Sequence, residues 1–185
     1  KYVYYNIAGN SAPEIYSAMV SRGPRVGGVK AYATTTAVSS QSGRLLQGQV
    51  CKIEDYAVNI DFTIKLPKLK NEGALAGSAK GQWRSFSAFL KTHEEQHRAI
   101  WLGCRNEMHA KVAALRVKSC SQLNAQTARL WQQVSQSCNR KHEQLDARDQ
   151  AKLLRHPFVK TVMAGPAKSS RHAMAVPGKK KKKKA

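Results

Sequence analysis

The segment His93-Glu94-Glu95-Gln96-His97 holds the residues best suited to chemistry. Two histidines four residues apart leave the same face of a helix, so both imidazoles reach one metal ion. Zinc binds imidazole nitrogen at about 2.0–2.1 Å and lowers the pKa of its bound water towards about 7. A carboxylate directly after the first histidine lies beside that water and accepts its proton. We therefore expect His93 and His97 to bind Zn²⁺ and Glu94 to be the catalytic general base.

A simpler interpretation is that the two histidines only pack within an amphipathic helix. Both lie on the apolar stripe of that helix, where neutral imidazoles need polar partners. Only eleven acidic residues occur in the chain. Five of them come close together if the helix that carries the motif and the helix that follows it lie antiparallel. Carboxylates that face histidines in so basic a chain favour a metal site. These five residues are Glu94, Glu95, Glu143, Asp146 and Asp149.

A catalytic zinc site needs a third protein ligand and an open position. The longer HExxHxxGxxH pattern is absent, because Gly103 and His109 stand at other spacings. Asp146 should face His97 once the second helix folds back, and His156 precedes a proline at the end of that helix. The sequence leaves the third ligand open between Asp146 and His156. The wider set of candidates is His142, Asp146, Asp149 and His156.

Apolar residues recur every three or four positions from Trp83 to Leu115, which predicts a long helix that carries the motif. A second helix is predicted from about residue 121 to about residue 154, antiparallel to the first. The N-terminal third reads as strands around one helix that begins at Ser11. Alternation over 56–66 predicts a strand with one buried face, as in an antiparallel sheet. The expected fold is α+β: an antiparallel sheet with one N-terminal helix, packed on a long antiparallel helical hairpin carrying HExxH.

Four cysteines, none in a CxxC pair, indicate two disulfides in an exported chain, although four buried thiols are an alternative. Cys120 and Cys138 lie about 27 Å apart on one continuous helix, which is too far for a bond. The folded-back helices bring Cys104 opposite Cys138, so we expect Cys104–Cys138. The remaining pair is Cys51–Cys120, which would tie the sheet to the helices.

The chain has 185 residues and a net charge of +21, which suits one domain with a strong attraction to polyanions. We expect a zincin-like domain over residues 1–160 and a basic, disordered tail over 161–185. Lys179–Lys184 form an unbroken run that could contact an acidic polymer. No nucleic-acid-binding motif occurs, so no specific nucleic acid is expected, and no apolar run is long enough for a transmembrane segment.

The order of several short motifs resembles the bacterial predicted secreted zinc-dependent protease family, a domain of unknown function with an HExxH motif. The similarity covers most of residues 2–160. It departs from the family near the C-terminal end, where Leu145 replaces a tyrosine, a threonine is missing and the histidine is displaced to His156. The resemblance implies an exported protein, periplasmic or extracellular. The matching stretches are Tyr4–Gly9, Arg22–Pro24, Cys51, Leu66–Pro67, Trp83, His93–His97, Ser119–Cys120 and Leu145–Asp146.

These observations predict a zinc-dependent peptidase that hydrolyses peptide bonds, with a metal-bound water and Glu94 as base. Its substrate would be a peptide or protein in the cell envelope. One alternative is a non-catalytic envelope protein that binds acidic polymers through its basic surface. Another is a zinc amidase that acts on peptidoglycan, which the sequence does not separate from a protease.

Overall fold

A computed structural model of the chain describes residues 1–75 and 77–165. This part is a mixed α/β structure with four helices, one three-stranded sheet and one two-stranded ribbon. The expected acidic-polymer contact through Lys179–Lys184 lies outside the described residues. Helix α4 (Pro157–Met163) continues three residues beyond the predicted domain boundary at 160.

The three-stranded sheet has the order β1-β5-β4, formed by β1 (Tyr2–Ile7), β5 (Cys51–Leu69) and β4 (Thr34–Gln47). Strands β4 and β5 pair antiparallel as a long hairpin, whereas β1 pairs parallel with β5. The prediction of an antiparallel sheet is therefore wrong for β1, and the sheet is mixed. Alternating apolar residues report which face of a strand is buried, but they do not report the direction of its neighbour.

The segment between α1 (Ala12–Arg22) and β4 forms a small ribbon of β2 (Arg25–Val26) and β3 (Val29–Lys30), which pair antiparallel. Strand β4 is a single 14-residue element with a register shift after Ser42. A polar run, Ser39–Ser42, interrupts the sequence of this strand. The pairing with β5 keeps the element continuous through that interruption.

Helices α1 and α3 (Cys120–Arg155) begin at recognisable capping residues. Helix α1 (Ala12–Arg22) begins at Ser11, whose side chain accepts a hydrogen bond from the Glu14 backbone N–H. Helix α2 (Gly77–Ala113) is 37 residues long and carries the whole His93–His97 segment. Helix α3 (Cys120–Arg155) begins at Ser119, whose hydroxyl accepts from the N–H of Gln122.

Two apolar clusters lie on either side of the histidines of α2. The first joins α1, β1, α4 and the N-terminal half of α2, and its centre includes the stacked rings of Phe86 and Phe158, 4.6 Å apart. The second joins β5 to the C-terminal half of α2 and to α3, around Met108 and Val134. The polar site between the clusters is therefore held by packed structure from both directions.

The disulfides are Cys51–Cys120 and Cys104–Cys138, the same pairs that the sequence predicts. The first ties the start of β5 to the start of α3, and the second crosses between α2 and α3. Two disulfides fit an oxidising compartment outside the cytoplasm. In the described part of the chain, no helix is long and apolar enough to cross a membrane.

Candidate metal centre

Three potential ligand atoms meet between α2 and α3. His93 Nε2 lies 3.0 Å from His97 Nε2, and Asp146 Oδ1 lies 3.2 Å from the first nitrogen and 3.0 Å from the second. The two histidines are one turn apart on α2, while Asp146 projects from α3. These atoms are close enough together that His93, His97 and Asp146 could all bind one ion at the distances of about 2.0–2.1 Å that are usual for zinc. The cluster could therefore hold a metal ion.

The chemistry of the three atoms also favours a cation. A neutral imidazole has one N–H and one lone pair, and the other ring nitrogen of His93 already faces a carboxylate. In a neutral His93 with its proton on Nδ1, Nε2 offers a lone pair, as does the Asp146 carboxylate. Lone pairs that converge within about 3 Å repel one another unless a positive charge lies between them. The side chain of Asp146 is 58% exposed, which leaves one side of the cluster open to solvent.

Asp149 orients the first histidine. Its Oδ2 lies 3.1 Å from His93 Nδ1, and the residue is only 4% exposed. Hydrogen bonds from Arg148, and then from Lys152 and His93, hold the pKa of this carboxyl well below its usual range. Asp149 is therefore ionised and can accept a proton from His93 Nδ1, an arrangement that leaves Nε2 facing the cluster.

His97 is held from its other side by a third histidine. His97 Nδ1 lies 2.8 Å from His142 Nδ1, and the two rings lie edge to edge with their centroids 5.0 Å apart. Burial, followed by the charge of His93, lowers the pKa of His97, which favours the neutral imidazole that a metal requires. Burial and the neighbouring His97 likewise lower the pKa of His142.

Glu94 is the buried carboxylate beside the cluster, at 4% exposure. The hydroxyl of Thr35 lies 2.8 Å from Glu94 Oε2 and 3.0 Å from the Glu94 carbonyl oxygen. Burial raises the pKa of Glu94, and this effect is larger than the lowering by the Thr35 hydrogen bond. A carboxylate held in this way retains a proton more readily than an exposed one. A group that first accepts a proton and later returns it needs this property.

The neighbouring Glu95 has a different environment. It points away from the cluster and bonds the hydroxyl of Tyr2 and the guanidinium of Arg98. The two adjacent glutamates of the motif therefore differ in direction: Glu94 faces the site, whereas Glu95 connects α2 to β1.

Two open cavities meet at the cluster. One, of about 490 Å³, extends past Tyr32 and Phe89 towards the end of α3, and the other, of about 370 Å³, extends past Thr35 towards Trp101. The same five residues border both cavities, so the cleft continues on both sides of the ligand atoms. These shared residues are Ala31, Ala33, His93, Glu94 and Asp146.

His156, the other candidate for the third ligand, lies elsewhere. Its Nε2 is 3.2 Å from the Ser85 hydroxyl, and its Nδ1 accepts the N–H of Phe158 at the start of α4. Ser85 precedes His93 by eight residues, or about 12 Å along α2. The structure thus brings Asp146, and not His156, to the two motif histidines.

Three contributors to the site were either missed by the sequence analysis or given another role there. Thr35 carries no local signal, because only the register of β4 against β5 and the packing of α2 bring it to Glu94. Asp149 and His142 were candidate ligands, yet they contact the histidines on the nitrogens that face away from the cluster. His142, Asp146 and Asp149 follow one another by about one turn of α3, a spacing that is visible in the sequence.

The fold and the site define a mixed α/β domain in which two long helices and a sheet enclose a His-His-Asp cluster. The family model of bacterial proteins of unknown function (DUF922) matches residues 2–153, and this chain belongs to that family. No curated protein and no solved structure matches the chain.

Proposed function

We propose that this chain is an exported, zinc-dependent peptidase whose metal ligands are His93, His97 and Asp146 and whose general base is Glu94. In this proposal α2 and α3 act as an antiparallel helical hairpin that presents the HExxH motif. The observation that carries the proposal is the triangle of ligand atoms, 3.0 to 3.2 Å on each side, next to a buried glutamate.

Two imidazoles, one carboxylate and an open position match the ligand set of catalytic zinc sites in hydrolases. The same donors also occur around iron in oxygenases. The buried Glu94, directly after the first histidine, favours the hydrolase, because that chemistry requires a proton acceptor beside the metal. When bound, zinc would supply a Lewis acid that makes water acidic near neutral pH and polarises the carbonyl of the substrate.

Residues of the chain carry out the proton transfer and orient the metal ligands. Glu94 accepts a proton from the attacking water and returns it to the leaving amine, while Thr35 holds its carboxylate in place. Asp149 keeps the proton of His93 on Nδ1, so that Nε2 stays available as a ligand. The cleft on both sides of the ligands would accept an extended chain, which favours cleavage at an internal peptide bond.

The test compares Glu94→Gln with Glu95→Gln, a matched pair of adjacent residues on one helix. Metal analysis of the purified protein should find about one zinc per chain in both variants. Cleavage of peptides blocked at both termini should fall by at least about a hundredfold in Glu94→Gln and stay near the original rate in Glu95→Gln. The proposal fails if the chain binds no zinc, or if Glu94→Gln retains full activity. Bound iron would point to an oxygenase.

A peptidoglycan amidase would use the same centre, so the substrate panel should include purified peptidoglycan beside the blocked peptides. Release of peptide stems from peptidoglycan, without cleavage of the peptides, would assign the amidase. Localisation to the periplasm or to the medium is decided separately, by fractionating cells that produce the full chain.

The basic surface supports a second candidate function, the binding of acidic polymers. Residues 1–165 hold 24 basic and 11 acidic residues, and residues 166–185 add eight basic residues and no acidic one. Four basic residues recur every seven positions along one face of α2: Arg84, Lys91, Arg98 and Arg105. Retention on a polyglutamate column that falls steeply with salt, and falls further when all four are replaced by glutamine, would support this role. Retention that salt and these replacements leave unchanged would exclude it.

A further inference from the structure

We propose that His142 is a positioning residue that holds His97 in the tautomer and orientation needed to bind the metal. This inference rests on the proposed zinc centre. It begins from the contact between the two rings, whose Nδ1 atoms are 2.8 Å apart. A nitrogen–nitrogen contact this short requires one atom to donate a proton and the other to accept it.

The direction of that hydrogen bond follows from the metal site. Asp146 Oδ1 and His93 Nε2 both lie about 3 Å from His97 Nε2, which makes Nε2 the ligand atom. A neutral imidazole with its lone pair on Nε2 carries its proton on Nδ1. His97 therefore donates from Nδ1, and His142 accepts on Nδ1 and carries its own proton on Nε2.

The surroundings of His142 keep its ring in that position. Its Nε2 lies 3.8 Å from Sγ of Cys138, one turn earlier on α3 and part of the disulfide to α2. The indole of Trp101 packs against it with a centroid distance of 5.1 Å. The acceptor for His97 is thus fixed by α3, by the disulfide and by an aromatic residue of α2.

The two zinc histidines consequently have different supports. His93 donates to the ionised Asp149, whereas His97 donates to an uncharged ring. Outer partners of this kind fix the ligand ring, and their loss typically weakens metal binding about ten- to a hundredfold. His142 contributes no ligand atom to the cluster of the described residues, so its effect should appear in metal affinity and in the tautomer of His97.

The experiment measures zinc affinity by competition with a chromogenic chelator in the full chain and in three variants. His142→Phe keeps a ring but removes the acceptor, and His142→Asn restores an acceptor close to the position of Nδ1. His109→Phe is the matched control, because His109 is exposed on α2 and stacks only on Tyr56 among the aromatic rings of the described residues. We expect affinity to fall about ten- to a hundredfold in His142→Phe, to recover within about threefold in His142→Asn, and to be unchanged in His109→Phe.

A second measurement needs no variant. Long-range ¹H–¹⁵N correlation spectra of the zinc-loaded chain should show the proton of His97 on Nδ1 and that of His142 on Nε2. The inference is overturned if His142 carries its proton on Nδ1, or if folded His142→Phe binds zinc within twofold of the unaltered chain. Failure of the unaltered chain to bind zinc is a different result, since it overturns the metal centre and this inference together.

Discussion

The carboxylate of Asp149 and the imidazole of His93 form a 3.1 Å contact between α3 and α2 inside a nearly closed environment. Arg148 and Lys152 neutralise the carboxylate from the solvent side, with contacts of 2.9 and 2.8 Å. The buried Asp149 carboxylate is thus held in a fixed position beside one histidine.

We expect Asp149→Asn to weaken zinc binding about ten- to a hundredfold, because an amide accepts the His93 proton less strongly than a carboxylate does. Chelator competition at pH 7 measures the change. Asp61→Asn, at an exposed position of β5, is the control and should leave the affinity unchanged. Equal affinities for Asp149→Asn and the unaltered chain would show that His93 needs no carboxylate partner.

The third ligand is tested by comparing Asp146→Ala with His156→Ala. The first removes an atom about 3 Å from both ligand nitrogens, so zinc should no longer be retained during dialysis. The second removes the cap of α4 and should lower the free energy of unfolding by about 1 kcal/mol while zinc stays bound. Metal analysis and urea unfolding of both variants give the answer. Zinc loss in His156→Ala alone would reverse the assignment.

Thr35→Val tests the support of the general base. The hydroxyl of Thr35 lowers the pKa of Glu94, so its removal should raise that pKa further. A general base works only when ionised, so in the proposed mechanism activity should be lost as the pH falls through the pKa of Glu94. The acid side of the pH–rate profile should therefore move to higher pH, because the hydrogen bond from Thr35 favours the charged form of Glu94.

The matched control for this change is Thr36→Val, because Thr36 bonds the Thr63 carbonyl on the exposed side of β4. Its pH–rate profile should coincide with that of the unaltered chain. A profile that moves equally in both variants would attribute the effect to the strand and not to the hydroxyl.

Each disulfide should stabilise the fold by an amount set by the loop that it closes. The loops span 34 residues for Cys104–Cys138 and 69 residues for Cys51–Cys120. Chain entropy then predicts losses of about 3.8 and about 4.4 kcal/mol when each pair is replaced by alanine. Urea unfolding of the two double variants measures these values. An unchanged midpoint in either variant would contradict the prediction for that bond.

The amino-acid sequence by itself determined where the two motif histidines lie and which helix carries them. A four-residue spacing of histidines and a repeat of three or four in the apolar residues are local patterns, so they predict α2 and the shared face of His93 and His97 directly. The disulfide pairs also followed, because the length of a helix excludes one pairing and a fold near residue 121 brings the other together.

Tertiary structure decided which groups meet across elements. The sequence did not choose between Asp146 and His156, because the choice depends on how α3 rotates against α2 and on the role of His156 as the cap of α4. It did not reveal Thr35 beside Glu94 or the parallel pairing of β1 either. Contacts between residues 45 to 62 positions apart depend on the packing of whole elements, for which the local sequence contains no periodic signal.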